Sequence, residues 1–296
     1  MVLPNFIIFG VEKAGTTSIY NYLKQHPQIY MSPIKETNFF EKDWENALPE
    51  VKAKKRNGIY SLEKYCQLFE AVTDEVAIGE VSPNYLFHYQ ESAKRIKAVL
   101  PDVKLIAILR NPVERAYSDY LMHIRDVIGQ PQTLEEQLKY RPQQSFTLRK
   151  GLYYEPLKHY FDAFSKENIK IYLYDDLCQD AVELMQDIYS FLNVDSMFKP
   201  DTSRKSQVAE VPKNKTLNYL LRVNNPFRTL VASFLKTFLS EKKRQILRSQ
   251  LLKLNAAKKS SLPLSSNERS LLLEYYREDT LKLQGLINRD LSAWLV

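Results

Sequence analysis

The segment Phe6–Leu23, FIIFGVEKAGTTSIYNYL, holds Gly10 and Gly15 with four residues between them, followed by Thr16 and Thr17. An apolar run that turns through glycines into a helix aims backbone N–H groups and the positive helix end at one point, which makes an anion site. The spacing is that of a nucleotide phosphate loop, yet Thr16 stands where such a loop carries its lysine. The nearest lysine is Lys13, three residues earlier. A triphosphatase loop also needs an acid at the end of another strand to hold magnesium, and the apolar run KLIAILRNP ends instead in Arg110. Cations in both places point to phosphate neutralised without a metal, by Lys13, Arg110 and the hydroxyls of Thr16, Thr17 and Ser18.

These residues resemble those of the sulfotransferases that use 3′-phosphoadenosine 5′-phosphosulfate, PAPS. Lys13-Ala14-Gly15-Thr16-Thr17-Ser18 is similar to their 5′-phosphosulfate loop, and Arg110-Asn111-Pro112-Val113-Glu114-Arg115-Ala116-Tyr117-Ser118 to their 3′-phosphate element. Pro33-Ile34-Lys35-Glu36-Thr37-Asn38-Phe39-Phe40 resembles the Lys-Glu-Pro-x-Phe-Phe segment of the heparan-sulfate glucosaminyl branch and its bacterial relatives, with Thr37 departing at the proline. Gly79-Glu80-Val81-Ser82-Pro83-Asn84-Tyr85-Leu86 resembles a second strand's rim, and Lys150-Gly151-Leu152-Tyr153 the late loop that closes over the nucleotide. The ending NRDLSAWL is similar to that of bacterial members. The resemblance covers roughly residues 5–195 and that tail, while 200–285 carry no assigned motif.

The resemblance implies transfer of a sulfuryl group from PAPS to a hydroxyl, on a carbohydrate or glycolipid if the Lys35-Glu36 segment is a guide, with no metal. Charge then builds on the bridging oxygen and 5′-phosphate of the departing nucleotide, and a preorganised ammonium at Lys13 stabilises it where it develops. A carboxylate must take the acceptor's proton. The resemblance points to Glu36; Glu80, at a strand end on the same rim, is the rival, and His123 the third. A family histidine would fall at Met122, and one residue of helix turns a side chain by about 100°, so His123 ranks last. Arg110 and Ser118 are expected to hold the 3′-phosphate through two guanidinium bonds and a hydroxyl. Arg115 is expected to pair on the helix surface with Glu114 or Asp119. Lys150, Gly151 and Tyr153 would add charge, close approach, and stacking or phosphate contact. Phe39, Phe40 and Trp44 are either core or an apolar wall beside the acceptor. Two other readings fit less: a phosphate-loop kinase or hydrolase, and a non-catalytic basic module with a vestigial nucleotide pocket.

The elements that must position these residues read as an α/β fold. Four short apolar runs have the length and residue types of buried parallel strands: 6–10, 76–80, 104–110 and 169–174. Helical patterns lie between and after them, at 17–25, 90–99, 112–126, 153–165 and 181–192. Alternation of this kind implies a parallel sheet with right-handed crossovers, a three-layer fold of phosphate-loop type with a helical C-terminal part. Asn111 before Pro112 is a capping residue ahead of a proline at the first helical position. It places Arg110 at a strand's carboxyl end, the rim where open α/β sheets bind ligands. Basic amphipathic helices are expected over about 215–257, and SSNE reads as a capping box that opens a last helix at Ser265, running to about Leu286. The whole is read as one domain, 1–296, with a core of about 5–195 and a helical subdomain of about 200–296.

The bulk figures agree with a globular chain: 296 residues, 44% hydrophobic and 26% charged, with only 7 glycines. The net charge of +7 gathers in part in KAKKR at 52–56 and EKKRQILR at 241–248. Such runs are ordinarily solvated faces; otherwise they attract an acidic glycan, a nucleotide or a membrane surface. No nucleic-acid motif is present. Cys66 and Cys178 have no metal or redox spacing and are expected to be reduced, buried thiols of a cytoplasmic protein. MVLPNFIIFG has no basic region before its apolar run, so it reads as a first strand and not a signal peptide. No stretch of about 18 apolar residues is available for a membrane span.

Overall fold

The computed structural model describes residues 2–53, 57–128, 132–203, 210–223, 240–258 and 262–296. Part of KAKKR, residues 54–56, and 224–239 of the expected basic helices lie outside the described residues. The chain forms two compact units, one of Met1–Arg115, Arg149–Ser206 and Leu273–Val296, the other of Ala116–Leu148 and Gln207–Leu272.

The first unit is built on a five-stranded, wholly parallel sheet. Its strands are β1 (Phe6–Gly10), β2 (Ile29–Met31), β3 (Ala77–Val81), β4 (Lys104–Leu109) and β5 (Ile169–Leu173), in the order β2-β3-β1-β4-β5. β1 is central, and all five of its residues are buried, which is why FIIFG reads as a continuous apolar run rather than an alternating one. Phe6 pairs with Gly79 on one side and Lys104 on the other. The chain leaves β1 toward β2 and β3 and returns past it to β4, so the carboxyl ends of β1, β3 and β4 meet at a reversal of strand order, the place where such sheets bind ligands. Helices Thr16–Leu23, Tyr89–Val99, Tyr154–Ala163 and Ala181–Leu192 follow the strands. The Asn111 carboxamide accepts from the N–H of Val113 at 2.9 Å and Glu114 at 3.3 Å, capping the helix Pro112–Asp126 as its sequence indicates. β2 was not foreseen; three residues are too few to show a strand pattern.

The second unit is mostly helical. It contains Leu134–Tyr140, Lys215–Arg222, Glu241–Leu254, and parts of Pro112–Asp126 and Ser266–Ile287. SSNE does open the last of these: the Ser265 hydroxyl accepts from Glu268 N–H at 3.1 Å while the Glu268 carboxylate accepts from Ser265 N–H at 3.2 Å. A short antiparallel pair, β6 (Glu210–Pro212) with β7 (Ala256–Lys258), replaces helix at the end of the basic segment. Among the described residues no helix is long and apolar enough to cross a membrane. Both cysteines are free thiols, and Cys66 is buried as expected. Cys178 is exposed, because its helix, Tyr174–Gln179, turns Leu177 inward instead.

Candidate active site

The loop after β1 owes its shape to two left-handed residues, Lys13 at φ 72° and Gly15 at φ 82°. A Cβ at Gly15 would approach Leu177 to 2.6 Å and Tyr174 to 3.2 Å, so glycine alone satisfies both the conformation and the close approach. The helix Thr16–Leu23 then starts with no acidic residue in its first turn, which leaves its positive end unopposed by the helix's own side chains. Thr16 is buried; Thr17 and Ser18 are partly exposed at the same end.

Arg110, at the end of β4, reaches this loop. Its guanidinium donates to the Lys13 carbonyl at 2.9 Å, lies 4.6 Å from the centre of the Tyr174 ring, and stands 3.9 Å from the Glu114 carboxylate. Two motifs 97 residues apart are thereby joined at one point. Tyr153 is buried, and its hydroxyl donates to the Arg110 carbonyl at 2.9 Å, holding the arginine's backbone. Burial raises that phenol's pKa far above its ordinary value, so it stays a donor. Lys150 pairs with Glu12, the residue before Lys13, and lies 5.7 Å from the centre of the Phe87 ring. Val11, Glu12, Asn84, Phe87, Lys150 and Tyr153 line a small open pocket beside the loop. Ser118 is buried and His123 partly exposed on the stretch of Pro112–Asp126 that belongs to the second unit. Arg115 departs from the expected surface pair: it is 0% exposed, and its charge is felt by the buried phenols of Tyr153 and Tyr276.

The two candidate bases of the first unit differ in environment. Glu36 has φ 64°, pairs with Lys35, and leaves 42% of its side chain exposed. Its backbone is pinned: its N–H donates to the Val81 carbonyl at 2.8 Å, and Asn57 donates to the carbonyls of Glu36 at 3.1 Å and Thr37 at 2.7 Å. Glu80 is 0% exposed. One of its oxygens accepts from Tyr65 at 3.0 Å and Tyr85 at 2.9 Å, the other from Ser82 at 3.1 Å and from Thr37. Burial pushes this carboxyl's pKa up, against the pull of the four hydroxyls. Four donors fill its acceptor sites, so Glu80 anchors the Glu36 loop through Thr37, the residue that departs from the family's proline. Phe39, Phe40 and Trp44 are core: Phe39 stacks on Tyr65 at 4.6 Å and Trp44 donates to the Asn38 carbonyl at 2.8 Å.

Residues 3–257 match the sulfotransferase domain family. The chain belongs to that family. A sulfotransferase crystal structure from Alicyclobacillus acidocaldarius is 29% identical, covers 99% of both chains and superposes with a TM-score of 0.72. Membrane-associated sulfotransferase kil1 of Dictyostelium discoideum is 34% identical over 125 residues, 42% of this chain and 24% of its own length. Human heparan sulfate glucosamine 3-O-sulfotransferase 6 is 33% identical over 128 residues, 43% of this chain and 33% of its own length. The chain thus spans a third or less of either of these curated sulfotransferases.

Several residues around the loop were not visible in the sequence of this sulfotransferase-family chain. Tyr174, read there as the end of a strand, opens the helix Tyr174–Gln179 and supplies the face under Arg110. Glu12 stands beside Lys13 with no local sign of its cation, Lys150, which lies 138 residues later. Asn57-Gly58 is a plain turn signal, but nothing local says that Asn57 grips the backbone at Glu36.

Proposed function

We propose that this chain transfers the sulfuryl group of PAPS to a hydroxyl of a carbohydrate or glycolipid. One observation carries the reading: the Arg110 guanidinium bonds the backbone of Lys13 inside a glycine loop that opens a helix. The cradle that a Cβ at Gly15 would fill, the cations Lys13, Arg110 and Lys150, and the hydroxyls of Thr16, Thr17 and Ser18 suit a ligand with phosphates at both ends of a nucleoside. PAPS supplies an activated sulfuryl group on a phosphate leaving group. In this reading the loop N–H groups and the Lys13 ammonium hold the 5′ end, where negative charge grows as the acceptor oxygen bonds sulfur and the phosphate oxygen departs. Arg110 holds the 3′-phosphate, and Lys150 and Gly151 close the pocket. Glu36 takes the acceptor's proton, since it is the partly exposed carboxylate on a fixed backbone while Glu80 is sealed by hydroxyls. The sugar character of the acceptor rests on the names of the relatives, which include carbohydrate and heparan sulfate sulfotransferases.

Adenosine 3′,5′-bisphosphate should raise the melting temperature while ATP with magnesium does not; the opposite ranking would return the site to the kinase or hydrolase class. Radiolabelled PAPS offered with a pool of glycans, glycolipids and small alcohols, followed by mass identification of the labelled product, tests donor and acceptor together.

A further inference from the structure

The loop at Lys150–Tyr153 leads into the helix Tyr154–Ala163, whose N-cap residue, Tyr153, makes no side-chain capping bond of its own. The cap arrives from 126 residues later. The Asp279 carboxylate accepts from Tyr153 N–H at 2.8 Å and from Tyr154 N–H at 3.2 Å. One turn earlier on the same helix, Ser266–Ile287, Tyr276 lies so close beneath Gly151 that a Cβ there would meet its ring at 2.8 Å. The ring of Trp294 meets Tyr153 edge-on at 6.4 Å. The same C-terminal segment also holds the helix Tyr174–Gln179, the support of Gly15 and Arg110: Arg289 pairs with Asp176 at 3.0 Å and the Trp294 indole N–H donates to Asp175 at 3.3 Å. These residues lie beyond 257, where the family match ends.

We infer that Asp279 is a positioning residue for the donor: by capping the turn after Gly151 it fixes Lys150 beside the loop and Tyr153 behind Arg110, so that residues 276–294 serve the nucleotide site without touching it. The inference rests on the donor reading above for its functional clause and on geometry alone for its structural clause. A helix start prefers a carboxylate to a neutral acceptor. Burial pushes the Asp279 carboxyl up to about 6, while the bonds it accepts from the Tyr153 and Tyr154 N–H groups pull it down.

The test compares the full chain with Asp279→Ala, Asp279→Asn, Gly151→Ala and, as a neighbour on the exposed side of the helix, Glu278→Ala. Calorimetric affinity for adenosine 3′,5′-bisphosphate and the hydrogen exchange of the Tyr153 and Tyr154 amides without ligand are both read. Losing the two capping bonds should weaken bisphosphate binding about tenfold and speed amide exchange about tenfold in Asp279→Ala. Asp279→Asn, which still offers an oxygen, should recover most of both, and Glu278→Ala should change neither. With PAPS as donor, KM should rise in Asp279→Ala more than kcat falls. If Asp279→Ala does not fold, Gly151→Ala, which pushes the loop off Tyr276 without stranding a polar group, carries the same expectation. Wild-type affinity and wild-type exchange in a folded Asp279→Ala, or in Gly151→Ala where the former does not fold, overturn the inference. Faster exchange in the variant together with no bisphosphate binding by the wild type would overturn the donor reading instead, and with it the functional clause.

Discussion

Replacing Glu80 separates an anchoring carboxylate from a proton acceptor. Alanine removes the acceptor of four buried hydroxyls. Tyr85 and Ser82 keep contacts with Thr37, at 3.2 and 3.4 Å, but the Tyr65 hydroxyl loses the Glu80 oxygen to which it donates at 3.0 Å. Stranding one or two buried hydroxyls costs about 2–4 kcal/mol, and the cavity adds to it. Removing a carboxyl whose ionisation burial opposes returns part of that, leaving a net loss of about 3 kcal/mol. For a chain of this size the melting temperature should fall by about 5 °C. Glutamine keeps one oxygen for one pair of hydroxyls and offers an amide N–H₂ to the other pair, which can rotate to accept, so Glu80→Gln should stay within about 1 kcal/mol of the wild type. Thermal unfolding by circular dichroism and sulfuryl transfer from labelled PAPS are measured on both variants. Glu80→Gln should keep turnover within about threefold, because only the orientation of the Glu36 loop passes through it. An unchanged melting temperature in Glu80→Ala would refute the hydroxyl hub. Glu80→Gln with native stability but turnover lowered by the factor of about 10²–10⁴ typical of a lost general base would make Glu80 the proton acceptor.

In steady-state assays with PAPS, Lys13→Ala should lower kcat by about 10²–10³ and Glu36→Gln by about 10²–10⁴, with melting temperatures unmoved; normal turnover in the latter shifts the base to Glu80 or His123. Arg110→Ala should weaken adenosine 3′,5′-bisphosphate binding by about 10–100-fold in calorimetry, and unchanged affinity would dismantle the pocket. For Asp279 the folded carboxyl titrates at about 6 against an ordinary 3.8. Protonation therefore favours the folded state, and that contribution is full below about 4 and lost as pH rises through about 6. The difference amounts to about 3 kcal/mol at most. Asp279→Asn, which does not titrate, should gain on the wild type in denaturant melts as pH rises from 5 to 8; a stability difference independent of pH would contradict the assignment.

The strands that carry the site were legible because parallel strands buried on both faces leave unbroken apolar runs such as FIIFG and KLIAILR. Asn111-Pro112 and SSNE were legible because caps are local chemistry. Partners brought together only by topology were not. The hydroxyls around Glu80 come from positions 37, 65, 82 and 85, and the departure at Thr37 was visible without its meaning, which is a hydroxyl in that cluster. Arg115 was read as a surface residue because acids flank it at 114 and 119; yet Val113, Ala116 and Tyr117 beside it are all buried, and a helix that buries so many neighbouring positions has little outer face left. Asp279 gave no signal, since the turn it caps lies 125–126 residues earlier.

The dependence of the donor loop on Asp279, Tyr276, Arg289 and Trp294 also sets an order of events during synthesis. The sheet strands, Lys13 and Arg110 all leave the ribosome well before residues 273–296, so until the chain is finished the turn after Gly151 lacks its cap and the core lacks Leu283, Leu291 and Trp294. A chain cut at the edge of the family match would stop at that incomplete stage, without the cap and without that part of the core.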